Sequence, residues 1–138
     1  MSTLREPRRC PCGSRQPYAD CCGELHDGRA SGQPTAPTAE QLMRSRFSAF
    51  AVGNEAYLLA TWHRSTRPRS LQLDASLEWQ RLEIRSTTRG LADDDAGTVE
   101  FDAHFWDATS NQRGLQREHS AFVREGGQWF YVGPATPE

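Results

Sequence analysis

Four cysteines carry the strongest chemical signal in the sequence, and all of them fall within residues 10–22. They form two close pairs, each directly followed by a glycine: Cys10, Cys12, Cys21 and Cys22. Thiolates bound at about 2.3 Å to zinc lie roughly 3.8 Å apart in a tetrahedron, which close pairs can reach if the backbone turns sharply after each one. Four sulfur ligands leave no open position for water. The pattern therefore predicts a closed, structural zinc site.

Two alternatives stay open for this cluster. His26 lies close enough in sequence to replace Cys22, although four sulfurs are already at hand, so Cys22 is favoured. Reduced thiols or disulfides are the other possibility, including a strained bridge between the adjacent Cys21 and Cys22. A segment this short has no core of its own, so bound metal would supply its folding free energy, on the order of 10 kcal/mol.

Composition and charge limit the classes of function. The 138 residues are 36% hydrophobic and 25% charged with a net charge of −2, which is typical of one globular domain plus a short appendage. All 16 basic residues are arginines, which excludes Schiff-base catalysis by a lysine. Within residues 1–30, five arginines oppose four acidic groups, and a four-thiolate zinc site brings the sum from +1 to about −1. We expect no sequence-specific binding of nucleic acid.

The apolar segments and the cysteines together indicate a compartment. Residues 1–9 lack the roughly 7 to 15 apolar residues of a secretory signal, and no later run approaches the roughly 18 that cross a bilayer. We therefore expect a cytoplasmic protein without a membrane partner. Thiols stay reduced in that compartment, so clustered cysteines are more often metal ligands than disulfide partners.

The elements that would position these residues begin with two short helices. The stretch 27–37 is rich in Gly, Pro and Ser, and we place a zinc module at 1–30, a linker at 31–37 and a second domain at 38–138. Thr38 and Gln41 form a capping box that starts a helix. One side of that helix gathers the apolar residues Leu42, Met43, Phe47, Phe50 and Ala51.

A glycine and an asparagine separate the two helices. Gly53 suits the end of the first helix, and Asn54 can cap a second one from Glu55 to about Trp62. The second helix is predicted to bury Leu58 and Trp62.

The remainder of the chain changes to the period of two that is typical of strands. A first strand at about 77–89 is predicted to bulge near Gln80 or Arg81, because its apolar residues change parity there. A second strand alternates apolar and polar residues, and its apolar positions are Val99, Phe101, Ala103 and Phe105. Two more strands fall near 115–124 and 128–133 and are joined by a two-glycine hairpin turn. The order predicts an α+β domain in which the two helices pack on a curved antiparallel four-stranded sheet with a concave face.

Particular residues carry a family resemblance. Cys10-Pro-Cys-Gly-Ser14, Pro17-Tyr18 and Cys21-Cys22-Gly23 resemble the SEC-C zinc motif. The segments Leu42–Phe50, Tyr57-Leu58, Thr61–His63 and Gly127–Tyr131 resemble the bacterial YchJ family over nearly the whole chain. This resemblance implies a SEC-C module joined to a cone-shaped, cystatin-like domain of the nuclear-transport-factor-2 (NTF2) type. It also implies contact with a protein or the ribosome, with which SEC-C modules are associated elsewhere.

A few polar residues of the second domain could line a pocket. Arg46 falls in the middle of the apolar side of its helix, so we expect a buried carboxylate partner, with Glu118 first and Asp102 second. An internal salt bridge of this kind would serve packing alone. His63 could be a general base at a pocket mouth, or a cation at the C-terminus of the second helix. Since no nucleophile, base and orienting group are arranged together, we assign no catalytic residue.

Two hypotheses follow from the sequence. The first is a non-enzymatic interaction protein, in which the zinc module docks to a protein or a ribosomal partner. The second is a small-ligand or enzymatic pocket on the concave side of the sheet, with His63, Arg46 and Glu118 as polar contacts.

Overall fold

A computed structural model describes residues 9–31 and 35–135 of the chain. Residues 1–8, 32–34 and 136–138 lie outside the described residues. They include most of the N-terminal segment (residues 1–9) and the middle of the predicted linker (residues 31–37). The module and domain limits at 1–30, 31–37 and 38–138 therefore stay predictions.

Three α-helices and four β-strands make up the described residues. The helices are α1 (Cys22–Ser31), α2 (Ala39–Val52) and α3 (Glu55–Ala60), and the strands are β1 (Leu77–Arg89), β2 (Ala96–Asp107), β3 (Gln112–Glu125) and β4 (Gln128–Pro134). The strands form one sheet in the order β1-β2-β3-β4, and every neighbouring pair is antiparallel. The predicted α+β class and four-stranded antiparallel sheet are confirmed.

The predicted signals set the ends of α2 and the start of α3. The Gln41 backbone N–H donates to the Thr38 hydroxyl at 3.1 Å, and the Tyr57 N–H donates to the Asn54 side chain at 3.0 Å. Each cap satisfies an amide that the first turn of a helix leaves without a partner. Gly53 ends α2 with φ of 79°, a left-handed conformation that glycine adopts without steric cost.

Helix α3 ends at Ala60, two residues before the predicted end at Trp62. The chain then runs beside β4, where the Tyr131 N–H donates to the Thr61 carbonyl at 2.8 Å and the His63 N–H donates to the Tyr131 carbonyl at 2.7 Å. These bonds to β4 replace the helical hydrogen bonds that Thr61 and His63 would make in another turn, so the helix ends before them. Trp62 is accordingly only half-buried.

The sheet carries the predicted irregularity in its first strand. The register of β1 against β2 shifts between Trp79 and Arg81, which confirms the bulge, and it shifts again between Ile84 and Ser86. The turn between β3 and β4 uses Gly126 at φ 60° and Gly127 at φ 80°, as the two-residue hairpin requires.

The main core lies between α2 and the sheet. Helix α2 packs against β1, β2 and β4, and its predicted apolar side is buried at Leu42, Met43 and Phe47, while Phe50 and Ala51 are half-buried. The opposing sheet positions are Leu82, Val99, Phe101, Ala103, Phe122 and Trp129. The alternation predicted for β2 is confirmed, because its odd-numbered residues from Val99 to Ala103 face this core.

Helix α1 was not predicted from the sequence. Its residues 27–31 belong to the stretch rich in Gly, Pro and Ser, yet they are helical as far as Ser31. Leu25 is its only large aliphatic residue and Gly28 interrupts it, so the sequence shows no amphipathic period there. The helix packs against α2 and α3. Among residues 9–31 and 35–135, no helix has both the length and the apolar character needed to cross a bilayer.

Candidate metal centre and the adjoining cavity

The structure brings the sulfur atoms of the four cysteines into one cluster. Every Sγ lies within 4.8 Å of the others, and the Sγ atoms of Cys12 and Cys21 are 3.7 Å apart. A disulfide needs about 2.05 Å, whereas thiolates of a tetrahedral metal site lie close to the observed separation. All four cysteines are free thiols, and three are buried: Cys10, Cys12 and Cys22. The donor set fits a closed four-sulfur metal centre.

Two local devices bring the pairs together. The first pair lies in a tight turn that Gly13 continues at φ 91°, held by a hydrogen bond from the Cys10 N–H to the Gln16 carbonyl at 2.8 Å. A short 3-10 helix, Tyr18–Asp20, then leads to the second pair, in which Cys21 ends that helix and Cys22 begins α1. Gly23 allows close packing and not a sharp turn, because a Cβ there would lie 2.7 Å from the Tyr18 carbonyl oxygen.

The thiols perturb one another strongly. Hydrogen bonds from the neighbouring thiols lower the pKa of Cys10, and the same interactions raise the pKa of Cys22. Thiols this close share protons until a cation displaces them. Such a cation would favour the thiolate form of every cysteine in the cluster.

His26 forms a hydrogen-bonded bridge between the module and the domain. Its Nε2 lies 2.8 Å from the Ser45 carbonyl oxygen, which can only accept, so Nε2 carries the proton. Its Nδ1 then accepts from the Tyr18 hydroxyl at 2.5 Å. Burial lowers the pKa of His26, which favours this neutral form. Because both nitrogens are engaged and the clustered ligand atoms are the four cysteine sulfurs, the structure favours Cys22 over His26 as the fourth ligand.

Further contacts seat the metal module on α2 and β4. The Arg44 guanidinium donates to the Cys12 carbonyl at 3.1 Å, and the Cys10 sulfur lies 3.5 Å from the Ser48 hydroxyl. On the other side, Arg29 donates to the Ala60 carbonyl at 2.9 Å and lies over the Phe130 ring at 4.8 Å. The module is therefore packed against the domain and does not hang from a free linker.

A separate cavity of about 270 Å³ opens between α2 and the sheet. Its walls are mostly aromatic and its polar groups are few; the lining residues are Met43, Arg46, Phe47, Phe50, Trp62, Trp79, Phe101, Ala103, Gln116, Glu118, Ser120 and Tyr131. Of the four predicted pocket residues, it brings together Arg46 and Glu118. An apolar enclosure with a small number of polar groups is typical of small-molecule sites.

Arg46 is 97% buried, as its 3% exposure shows, but its partner is not a carboxylate. One guanidinium nitrogen, Nη1, donates to the Leu58 carbonyl at 2.9 Å and to the Thr61 hydroxyl at 2.7 Å. The guanidinium carbon lies 4.4 Å from the centre of the Tyr131 ring. Burial lowers the pKa of Arg46 to about 10, so the group stays cationic at neutral pH.

Glu118 faces the same cavity from β3. It accepts hydrogen bonds from the Ser120 and Tyr131 hydroxyls, each at 2.9 Å. Among the described residues no salt bridge joins Arg46 to Glu118 or Asp102, so the expected ion pair is wrong. Tyr131 contacts both groups, Arg46 with its ring and Glu118 with its hydroxyl, and takes the place of a direct pair.

Asp102 and His63 lie elsewhere. Asp102 is on the opposite face of β2, where it accepts from Arg117 at 2.6 and 3.1 Å and from Arg85 at 3.1 Å. His63 is bonded to Glu125 at 3.0 Å and does not line the cavity. Neither residue shares a site with Arg46.

Sequence reasoning missed Thr61 and Tyr131, which organise the cavity. A threonine at a helix end and a tyrosine in a strand look like ordinary packing residues, so no local signal distinguishes them. The one usable signal was the arginine on an apolar helix face, which required buried oxygen atoms or aromatic rings somewhere in the fold.

Comparison with known proteins matches both parts of the chain. The family model for the SEC-C motif matches residues 9–24, and the model described as YchJ, middle NTF2-like domain, matches residues 38–134. A UPF0225 protein of Corynebacterium glutamicum is 48% identical over 124 residues, covering 90% of this chain and 94% of its own length. A UPF0225 protein of Chromobacterium violaceum is 46% identical over 136 residues, covering 96% of each chain.

Two solved structures share the fold. The solution structure of a SEC-C motif containing protein from Rhodopseudomonas palustris has a TM-score of 0.75 at 26% identity, covering 94% of this chain and 99% of that one. The crystal structure of a SEC-C motif containing protein from Psychrobacter arcticus has a TM-score of 0.71 at 25% identity, covering 95% and 84%. The similarity spans the metal module as well as the sheet domain.

Proposed function

The chain belongs to the YchJ family, whose curated relatives are named UPF0225 proteins, and on that premise we propose that it is a cytoplasmic, zinc-stabilised interaction protein. The metal centre has a structural role and presents the module to a partner protein. The observation that carries this proposal is that the module has two different sides. Its inner side packs against the domain of the same chain, whereas its outer loop is exposed and polar.

Zinc is the metal we propose. Four thiolates are soft donors that select zinc over hard cations such as magnesium and calcium. The 3.7 Å separation between the sulfurs of Cys12 and Cys21 suits a zinc–sulfur bond of about 2.3 Å. The centre is also linked to the domain through Cys10 and Ser48, as a structural site would be.

The docking surface is the knuckle loop, defined here as Gly13–Gln16. All four of its residues are exposed, and so are the neighbouring Arg9, Asp20 and Glu24. Arg15 has a left-handed backbone at φ 71°, which costs a residue with a Cβ about 1 kcal/mol or more. Such strain at an exposed arginine supports a recognition role for its side chain.

The chemistry of the loop favours a protein surface as partner. Arg9, Arg15, Asp20 and Glu24 are all exposed, so the surface of the module carries charges of both signs. Mixed charge complements a folded protein surface and gives orientation to an encounter, whereas a polyanion such as RNA calls for clustered positive charge. Contact with a ribosome would then go through a ribosomal protein.

Site-specific photocrosslinking tests this proposal. A photoreactive residue at exposed Gln16 is expected to capture one defined protein in cells, which mass spectrometry identifies. The same residue at Leu115, which is 50% exposed on the outer face of the sheet, is the matched control and is expected not to capture it. Loss of the crosslink when Arg15 is replaced by Gly would support recognition by the loop, because glycine relieves the backbone strain and removes only the side chain. Equal capture from both positions, or none from Gln16, would contradict the proposal.

A further inference from the structure

We propose that the cavity between α2 and the sheet binds a small, uncharged, planar molecule whose edge offers a hydrogen-bond acceptor to Arg46 and a donor to Glu118. Amides and lactams on an aromatic ring are the chemical class with such an edge. This site is separate from the knuckle loop and does not depend on its partner.

The first support is the unfinished hydrogen bonding of Arg46. A guanidinium has five N–H donors, and the two protein acceptors within reach both bond to Nη1. Its Nε and Nη2 have no acceptor among the described residues, yet the side chain is 97% buried and lines the cavity. No side-chain nitrogen or oxygen that is fully sealed from solvent lacks a partner in the described part of the chain, so these nitrogens keep some exposure, and the space that Arg46 lines is the cavity. A donor held in this way calls for an acceptor on a ligand.

The second support is the orientation of Glu118. Its Oε2 is held by Ser120 and Tyr131, each at 2.9 Å, while Oε1 has only a long contact with Gln116 at 3.4 Å. Two hydroxyl groups therefore fix the carboxylate and leave one oxygen able to accept from a ligand. A carboxylate has capacity for several hydrogen bonds, so the free oxygen is a directed acceptor.

The charges of the cavity decide which ligands are excluded. One guanidinium and one carboxylate line it, so its formal charge is balanced. A carboxylate ligand would meet Arg46 favourably but would also be placed beside Glu118, and a cationic ligand would meet the reverse problem. Like charges in an enclosed site are strongly unfavourable. A neutral group that both accepts and donates satisfies the two side chains without that cost.

The walls and the volume set the shape of the ligand. Phe47, Phe50, Trp79 and Phe101 supply aromatic faces and edges, against which a flat ring packs well. Water in the liquid occupies about 30 Å³ per molecule, so a cavity of 270 Å³ accommodates a molecule of one or two rings.

A matched series of phenyl compounds tests the proposal on the full chain with its metal. Benzamide has the required edge, benzoate and benzylamine carry single charges, and ethylbenzene has no polar edge. Calorimetric titration and the NMR signal of the Arg46 Nε–H group are the readouts. Benzamide is expected to bind saturably, to shift that signal, and to bind at least about tenfold more tightly than the other three.

The variant Glu118→Gln makes the test specific to the cavity. The amide keeps the shape and a hydrogen-bonding oxygen but removes the negative charge, so benzoate should gain affinity and the preference for benzamide should shrink severalfold. Glu83→Gln makes the same chemical change at an exposed site on the other face of the sheet, and it should leave the preference unchanged. Tighter binding of benzoate than benzamide by the unaltered chain, absence of saturable binding by benzamide, or an equal response of both variants would each overturn the proposal.

Discussion

The sulfur of Cys10 lies 3.5 Å from the hydroxyl of Ser48, so the cysteine cluster is in direct contact with helix α2. Arg46, which lines the cavity, is two residues before Ser48 and lies about 160° away around the same helix. The cysteine cluster and the cavity are thus built against two sides of one helix.

Loss of one metal ligand should unfold the module. Cys12→Ser removes a buried sulfur, and the remaining donors cannot complete the site, so bound zinc should fall from about one equivalent per chain to well below one. Elemental analysis measures the bound zinc, and the far-ultraviolet circular dichroism of the protein measures the loss of helix α1. The control is Ser14→Ala, which deletes a hydrogen bond to the Cys21 sulfur but no ligand and should keep the metal. Retention of full metal by Cys12→Ser would contradict a four-thiolate site.

Replacement of His26 should weaken the contact between the module and the domain without releasing the bound metal. His26→Phe keeps a ring against Tyr57, whose centre lies 4.4 Å away, but removes the hydrogen bonds of His26 to the Ser45 carbonyl and the Tyr18 hydroxyl. Each such hydrogen bond contributes about 0.5 to 1.5 kcal/mol, so urea denaturation should show a loss of about 1 to 3 kcal/mol. Metal content should stay at its original level. A fall in bound metal would show that His26 is a ligand after all.

Removal of one oxygen beneath Arg46 should destabilise the domain. Thr61→Val preserves shape but deletes the hydroxyl that accepts from Arg46 at 2.7 Å and donates to the Tyr57 carbonyl at 2.7 Å. Arg46 and Tyr57, the two residues that lose a hydrogen bond, are buried, so the free energy of unfolding should fall by about 1 to 3 kcal/mol. Thr87→Val, at an exposed position of β1, makes the same change and should stay within about 0.5 kcal/mol. Equal effects of the two substitutions would show that Arg46 does not need this acceptor.

The buried carboxylate on the outer face of the sheet should give an acid-dependent contribution to stability. Hydrogen bonds from Arg117, helped by Arg85, lower the pKa of Asp102 below its ordinary value. The folded state therefore favours the ionised form, and this stabilisation is present above about pH 4 and is lost as the pH falls through the lower, folded pKa. Asp102→Asn should be less stable than the unaltered chain at neutral pH, and the difference should narrow in acid.

Urea denaturation of both proteins from about pH 7 to about pH 3 measures this difference. A chelator should be present throughout, so that release of metal in acid affects neither curve. A difference that stays constant over the whole range would mean that the two arginines do not stabilise the charged carboxylate.

Much of the fold could be predicted because its signals are local. The caps at Thr38 and Asn54, the glycine at the end of α2 and the bulge in β1 each depend on residues that are neighbours in sequence. Helix α1 was not predicted because its residues have no apolar period. Its helical state depends on packing against α2 and α3. Tertiary contacts override weak local preference in such a segment.

The sequence by itself determined the cysteine cluster, since two close pairs bring four sulfurs together over a span of 13 residues, from Cys10 to Cys22. Only the tertiary structure decided how Arg46 is satisfied. Its partners, Thr61 and Tyr131, come from the end of α3 and from β4, and many oxygen atoms and rings in the chain would have served equally well. A buried cation requires compensation, but which groups supply it depends on the packing of distant segments.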